Sequence, residues 1–207
     1  MNSEVIQRSE EWFLARRGRF TASSVKNILM APSTKGYQDE VKRVVFERLT
    51  GLSPDSFESE WMTRGKEMEG EAINNYQATT FNVVEPCGFF TYEEWMGASP
   101  DGLIGEDGLI EVKCPKYNTM IDYLLSGEVP KDYYTQIQMQ LLCTGRKWCD
   151  FVAYHPGLRL LIIRVERDEA FISHMIEAVS DAVDKVISML NRLDSQTDIK
   201  RDKRLFD

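Results

Sequence analysis

Apolar residues recur along the chain at two periods, and the switch between them divides it. The first part is helical. Residues 9–17 predict a helix with Ser9 at its N-cap, and a second is expected from Thr21 or Ser23 to about Met30, where Pro32 stops it. Over 37–50, Val41, Val44, Val45 and Leu49 fall at helical spacing before Gly51. A further helix is expected over about 65–78, polar on most sides, with Met68, Ala72, Ile73 and Tyr76 as its buried stripe.

The middle of the chain changes period. Residues 82–92 and 95–98 are short apolar and aromatic stretches cut by Pro86, Gly88 and Gly97, and they predict strands. A strand of about six residues is expected over 108–114, between the turn signal Asp107-Gly108 and Pro115. A helix over about 131–144 follows, then strands over 149–155 and 159–166 joined around Pro156-Gly157. The last element is a long helix over about 168–193, with Ile172, Met175, Ile176, Val179, Val183, Val186, Ile187 and Leu190 on one stripe. Covering the sheet is the default use of that stripe. No internal repeat or long Ser/Gly/Pro linker breaks the order. One α/β domain over 1–207 is therefore expected, with a helical part over about 1–80, a sheet-containing core over about 81–167, and a C-terminal helix and tail over about 168–207.

Composition narrows the class. Of 207 residues, 43% are hydrophobic and 28% charged, which excludes disordered and low-complexity chains. No run approaches the ~18 apolar residues of a membrane helix and no signal peptide is evident, so secretion and insertion are not expected. Cys87, Cys114, Cys143 and Cys149 lie 27, 29 and 6 residues apart, unlike a disulfide scaffold or an iron–sulfur set, and read as reduced, packed thiols. With only His155 and His174, a histidine-based hydrolase or a structural zinc site has little material.

The net charge of −8 argues against nucleic acid until it is read by segment. Residues 1–48 hold nine basic and six acidic groups, a net of +3. Residues 49–110 hold twelve carboxylates against Arg64 and Lys66 alone, a net of −10. Such a segment is either a solvated acidic surface or a place where carboxylates meet cations.

The segment from Ser99 to Pro115 is the most informative. In a strand, alternate side chains share a face, so Glu111 and Lys113 point one way and Val112 the other. A hairpin between Asp101 and Glu111 brings two carboxylates together. Their mutual repulsion is relieved by a proton or a cation, and the hard oxygens suit magnesium, with the Val112 carbonyl as a further ligand. A structural Glu–Lys surface pair is the alternative. A calcium loop starting at Asp101 fails on spacing, because its positions 3, 5 and 12 would be Leu103, Gly105 and Val112. A lysine beside two metal-binding carboxylates suits phosphodiester hydrolysis.

Asp101, nine intervening residues and Glu111-Val112-Lys113 resemble the PD-(D/E)xK nuclease signature. Ser99-Pro-Asp-Gly102, Glu111-Val-Lys-Cys-Pro115, Arg64-Gly-Lys-Glu-Met-Glu69, Gly18-Arg-Phe-Thr-Ala-Ser23 after Trp12, and Tyr133-Tyr-Thr-Gln-Ile-Gln138 occur in the same order in the lambda exonuclease and YqaJ-type viral recombinase family. The chain resembles that family over roughly residues 7–170, departing from it in a short segment before Trp12 and over 52–62. The resemblance implies a restriction-endonuclease-like core with a central mixed sheet flanked by helices. It also implies an exonuclease that enters at duplex ends in the bacterial cytoplasm and digests one strand 5′ to 3′, leaving a 3′ single strand.

By the same resemblance, Asp101, Glu111 and the Val112 carbonyl would ligate Mg²⁺ (or Mn²⁺), and Glu69 would complete the shell of a second ion. Lys113 would activate water, and Gln136 would support the site. Arg16 and Ser23, with Ser99, would grip the terminal 5′ phosphate, while Arg17 and Arg19 make general backbone contacts and Trp12 packs. The family further implies a homotrimeric ring and a single-strand annealing partner, to which the C-terminal helix and the tail Lys200–Arg204 are open. A nicking or structure-selective endonuclease and a catalytically idle DNA-end-binding module are the competing readings.

Overall fold

The computed structural model describes residue 7 and residues 9–54 and 60–203, with side chains described outside 60–67 and 196–203. Among the described residues there are six α-helices and eight strands. Helix α1 (Glu10–Arg16) opens where the Ser9 side chain accepts the Trp12 N–H at 3.2 Å. Helix α2 (Lys35–Thr50) is capped by Thr34 and ends at Gly51, whose φ of +65° lets its N–H reach the Glu47 carbonyl. Helix α3 (Glu60–Thr80) buries Ala72 and Tyr76, with Met68 and Ile73 partly covered. Helices α4 (Tyr117–Ser126), α5 (Lys131–Thr144) and α6 (Glu169–Lys203) complete the set.

Strands β2 (Val84–Glu85), β5 (Gly102–Ile104), β6 (Gly108–Lys113), β7 (Trp148–Ala153) and β8 (Leu161–Glu166) form one mixed sheet in the order β2-β5-β6-β7-β8. The β6–β7 pair is parallel, Glu111 opposite Phe151, and the other pairs are antiparallel. The crossover between the parallel strands carries α4 and α5, as parallel pairing requires. A second sheet of β1 (Phe20–Thr21), β4 (Met96–Ala98) and β3 (Phe90–Tyr92) places β4 in the middle, parallel to β1.

Both faces of the larger sheet are packed. Leu109 and Phe151 meet Ile137 and Leu141 of α5 on one face, while Ile110, Val112 and Val152 meet Ala72 and Tyr76 of α3 on the other. A third core joins α2, α6 and the small sheet through Val41, Val44, Phe20, Met96, Met175 and Val179.

Several expectations are corrected. In place of a helix from Thr21 to Met30 there is β1, followed by a short 3-10 turn over Val25–Asn27. Thr21 is claimed by β4, and the Ser24 hydroxyl bonds to Glu40 at 2.6 Å and to the Thr21 carbonyl, which holds the backbone out of α-helix. Leu49 and Ile187, placed on buried stripes by their spacing, are 46% and 42% exposed. Helix α6, expected to cover the sheet, packs chiefly on α2 and α5 and reaches the small sheet. Helix α4 is not among the expected elements; Met120 is buried, whereas Tyr117, Ile121 and Leu125 of its apolar arc face solvent. Strand β5 is too short to signal itself. Arg204 and the side chains of Arg64, Lys66 and residues 200–203 of the tail lie outside the described residues.

Gly97 in β4 is required by close approach, since a Cβ there would lie 2.2 Å from the Phe89 ring and 3.1 Å from the Phe90 carbonyl. Gly97→Ala should therefore lower stability by about 1–3 kcal/mol, read as a drop in midpoint in thermal or urea unfolding.

Candidate active site

The site forms where β6 outruns its neighbour. Strand β5 pairs with β6 only from Gly102 to Ile104, and Asp101, just before it, donates its N–H to the Ile110 carbonyl at 3.1 Å. Beyond that point Asp101 replaces a strand with its side chain: Oδ2 accepts the Val112 N–H at 2.7 Å. In a pleated strand the N–H and C=O of one residue face the same edge. The Val112 carbonyl therefore faces the Asp101 side as well.

Glu111 and Lys113 share a face of β6, as alternation predicts, but that face is interior. Glu111 is 1% exposed under α5. Its Oε1 accepts Gln136 Nε2 at 2.6 Å and pairs with Lys113 Nζ, while Oε2 accepts Gln140 Nε2, also at 2.6 Å. Gln136 and Gln140 are four apart on α5, so one helix face presents both amides. Gln140 is fully buried, and its own Oε1 has no partner among the described residues. The sequence reading found Gln136 and missed Gln140, whose signal is the Gln-x-Gln-x-Gln run 136–140 with its i, i+4 spacing.

The charges are strongly coupled. Burial raises the Asp101 carboxyl well above its ordinary range, and the neighbouring Glu111 charge adds to this, outweighing Lys113 and the Val112 N–H. Burial alone would lower Lys113, but Glu111 and Asp101 overcome it and hold the ammonium charged. The ammonium also lies 5.1 Å from the Tyr133 ring centroid. Glu69, on α3, acts on Asp101 as a weaker charge than Glu111 does. Helix α3 is anchored two turns further on, where Tyr76 donates to Asp150 at 2.6 Å and Arg164 grips the same carboxylate at 2.9 and 3.0 Å.

The donor set suits a hard divalent cation. Two coupled carboxylates and a carbonyl share one edge, and the raised Asp101 carboxyl marks a place where negative charge lacks compensation. Among the described residues, no three His, Cys, Asp or Glu side chains form a ready-made cage.

The residues expected to hold a phosphate gather at one end of the small sheet. Ser99 Oγ accepts Trp12 Nε1 at 3.0 Å and donates to the Gly88 carbonyl at 2.9 Å, tying α1 to the small sheet. Arg16 stacks 4.2 Å over the Trp12 ring, so it and Ser99 share one support, and Trp12 packs as expected. Strands β1 and β4 run parallel and lead to Ser23 and Ser99 from the same end. Ser23 is exposed and within 3.3 Å of the Thr21 hydroxyl. Burial and the nearby Arg43 charge push Arg16 down to about 10, against the pull of Glu47 and Glu40. Arg43 is itself satisfied by Glu40, Glu47 and the Arg19 carbonyl, a buried network not legible in the sequence. Arg16 is thus a desolvated cation beside another cation, an environment that an anion relieves. Arg17 Nε and Arg19 Nε are buried without partners among the described residues. All four thiols are free, and burial pushes Cys87 and Cys143 up to about 12 and Cys114 to about 11, so none is poised as a nucleophile.

A mixed sheet between helices, with Asp101, Glu111 and Lys113 at the open end of one strand, is the core of a PD-(D/E)xK nuclease. The YqaJ-like viral recombinase domain model matches residues 11–147, and the chain belongs to that family. Among solved structures, an alkaline exonuclease from Laribacter hongkongensis, LHK-Exo, is 35% identical over 91% of this chain and 98% of its own, with a TM-score of 0.85. Its complex with dAMP gives the same identity and coverage and a TM-score of 0.86. A phage-related exonuclease from Haemophilus somnus 129PT, 17% identical over 84% of this chain and 96% of its own, shares the fold with a TM-score of 0.65. No curated protein matches the chain.

A carboxyl raised in the folded state stabilises the fold below its ordinary ionisation range, and that contribution is lost as pH climbs through the folded value. In chelator, the melting temperature of the parent relative to Asp101→Asn should therefore fall as pH rises from below about 3.9 through the higher folded value of Asp101. A parent-minus-variant difference that stays constant with pH would contradict this assignment.

Proposed function

We propose that this chain is a Mg²⁺-dependent exonuclease that digests one strand of linear double-stranded DNA from its 5′ end, leaving 3′ single strands for phage-type recombination by single-strand annealing. The convergence of Asp101, Glu111 and Lys113 at the end of β6, under Gln136 and Gln140, carries the reading. Family membership and the 35% identity to an alkaline exonuclease support the enzyme class, a deoxyribonuclease of exonuclease type.

Asp101, Glu111 and the Val112 carbonyl would hold one Mg²⁺, with Mn²⁺ as a substitute, and Glu69 would help hold a second. When bound, the metal supplies a water of lowered pKa and a Lewis acid for the phosphoryl oxygens. Every other task falls to the chain. Lys113, kept charged by its carboxylate neighbours, orients the attacking water and offsets charge developing on the phosphate. Gln136 and Gln140 fix the Glu111 carboxylate so that it need not reorganise during the reaction. Arg16, Ser23 and Ser99 receive the terminal 5′ phosphate, and Ser99 stands only two residues from Asp101, which sets a short span between the gripped end and the bond to be cut. The chain acts as one nuclease domain over 1–207, in a homotrimeric ring, in the bacterial cytoplasm, beside an annealing protein. These last features are carried by the family resemblance.

The test is digestion of linear duplex in Mg²⁺, with and without a 5′ phosphate. Phosphorylated ends should be digested faster, Arg16→Ala should erase that preference, and Lys113→Ala should slow cleavage by about 10²–10⁴-fold. Nicking of covalently closed circles would replace the reading with an endonuclease, and end binding without turnover would replace it with an idle module. Gln140→Leu strips the buried Glu111 Oε2 of its donor, a loss that outweighs removal of the orphaned Gln140 Oε1. Stability should therefore fall by about 1–3 kcal/mol, and single-turnover cleavage by roughly tenfold.

A further inference from the structure

Helices α2 and α6 contribute nothing to the carboxylate site, yet they enclose a groove of about 450 Å³. Its floor is apolar, formed by Tyr37, Val41 and Met189, and its rim carries Lys42, Lys185 and Arg192. The pattern follows from helical spacing: 37 and 41 on α2, and 185, 189 and 192 on α6, each fall on one helix face. No carboxylate lines the groove, and among the described residues none of the three cations forms an ion pair. In a chain of net charge −8, three converging unneutralised cations are a local reversal of sign. Lys185 is held in place, its Nζ donating to Tyr37 Oη at 2.9 Å and lying 4.5 Å from the centre of that ring.

The two halves of the groove call for a ligand that is apolar and anionic together. A nucleic-acid backbone supplies anions but no apolar group, and Tyr37 is no stacking platform for a base, since it is buried with Lys185 over its ring. A purely apolar helix leaves the cations without partners. The volume falls toward the lower end of the ~300–1,000 Å³ range of ligand pockets, room for side chains and not for a domain. We propose that the groove between α2 and α6 docks an acidic peptide segment of a partner protein, its apolar side chain resting on Pro32 and Met189 above the buried Tyr37 and Val41, and its carboxylates meeting Lys42, Lys185 and Arg192. The inference is independent of the catalytic reading, because no site residue lines the groove.

Fluorescence anisotropy on the full chain tests it, using a short fluorescein-labelled peptide that alternates Asp and Glu with Leu and Phe. That peptide should bind saturably and more weakly as salt rises, and the double variant K42E/R192E should raise its Kd by about tenfold or more, with unchanged activity on duplex ends. Replacing Leu and Phe by Ser in the peptide should also abolish binding. Four outcomes would overturn the proposal: no saturable binding, a Kd indifferent to K42E/R192E, equal binding of the Ser-substituted peptide, or displacement by a single-stranded oligonucleotide whose own binding the variant weakens equally. A shift in oligomeric state of K42E/R192E in sedimentation velocity would likewise overturn it, making the groove a contact between copies of this chain.

Discussion

A carboxylate cannot be buried as a charge unless its partners are fixed in advance, and Glu111 brings that constraint to the middle of the larger sheet. With 1% of its surface exposed, it depends on Lys113 from its own strand and on two amides from α5. The strand must therefore end where it does and α5 must lie over it. Asp101 must complete the edge that β5 leaves open. A single desolvated group thus sets the register of the hairpin, the placement of the crossover helix and the charge state of its lysine neighbour.

Much of this was legible in the sequence, for a definite reason. Strand β6 alternates cleanly between turn signals, so Glu111 and Lys113 had to share a face, and α5 and the strands β7 and β8 stood at their expected positions. The less legible parts are long-range. Thr21, Ser23 and Ser24 look like a helix start until β4 claims the backbone beside them, and no local pattern announces a pairing with residues far along the chain. Gln140 was missed for a related reason. An amide on a helix reads as surface until the partner strand is known, and here the partner is a buried charge. The stripe of α6 packs on α2, α5 and the small sheet and not on the larger one, because an apolar stripe specifies that something covers it, not what.

The two parts of the site are held by different physics. The carboxylate edge is a strained balance of like charges whose natural relief is a cation, whereas the Arg16 region is a surplus of positive charge in which Glu40 and Glu47 satisfy Arg43 and leave Arg16 to an anion. DNA bearing a terminal phosphate and accompanied by a divalent ion answers both, which reconciles an acidic chain with a polyanionic substrate.

The parallel pairing of Phe20 with Met96 also bears on how the chain is made. During synthesis from the N-terminus, the segment bearing Arg16 and Ser23 has no strand to join until β4 has emerged, and the stretch that brings β4 also brings Ser99 and Asp101. An incomplete chain thus lacks the support for Arg16 and Ser23, proposed to receive the phosphate, until Asp101, the first proposed metal ligand, has been made. The topology couples the maturation of the two proposed parts of the site.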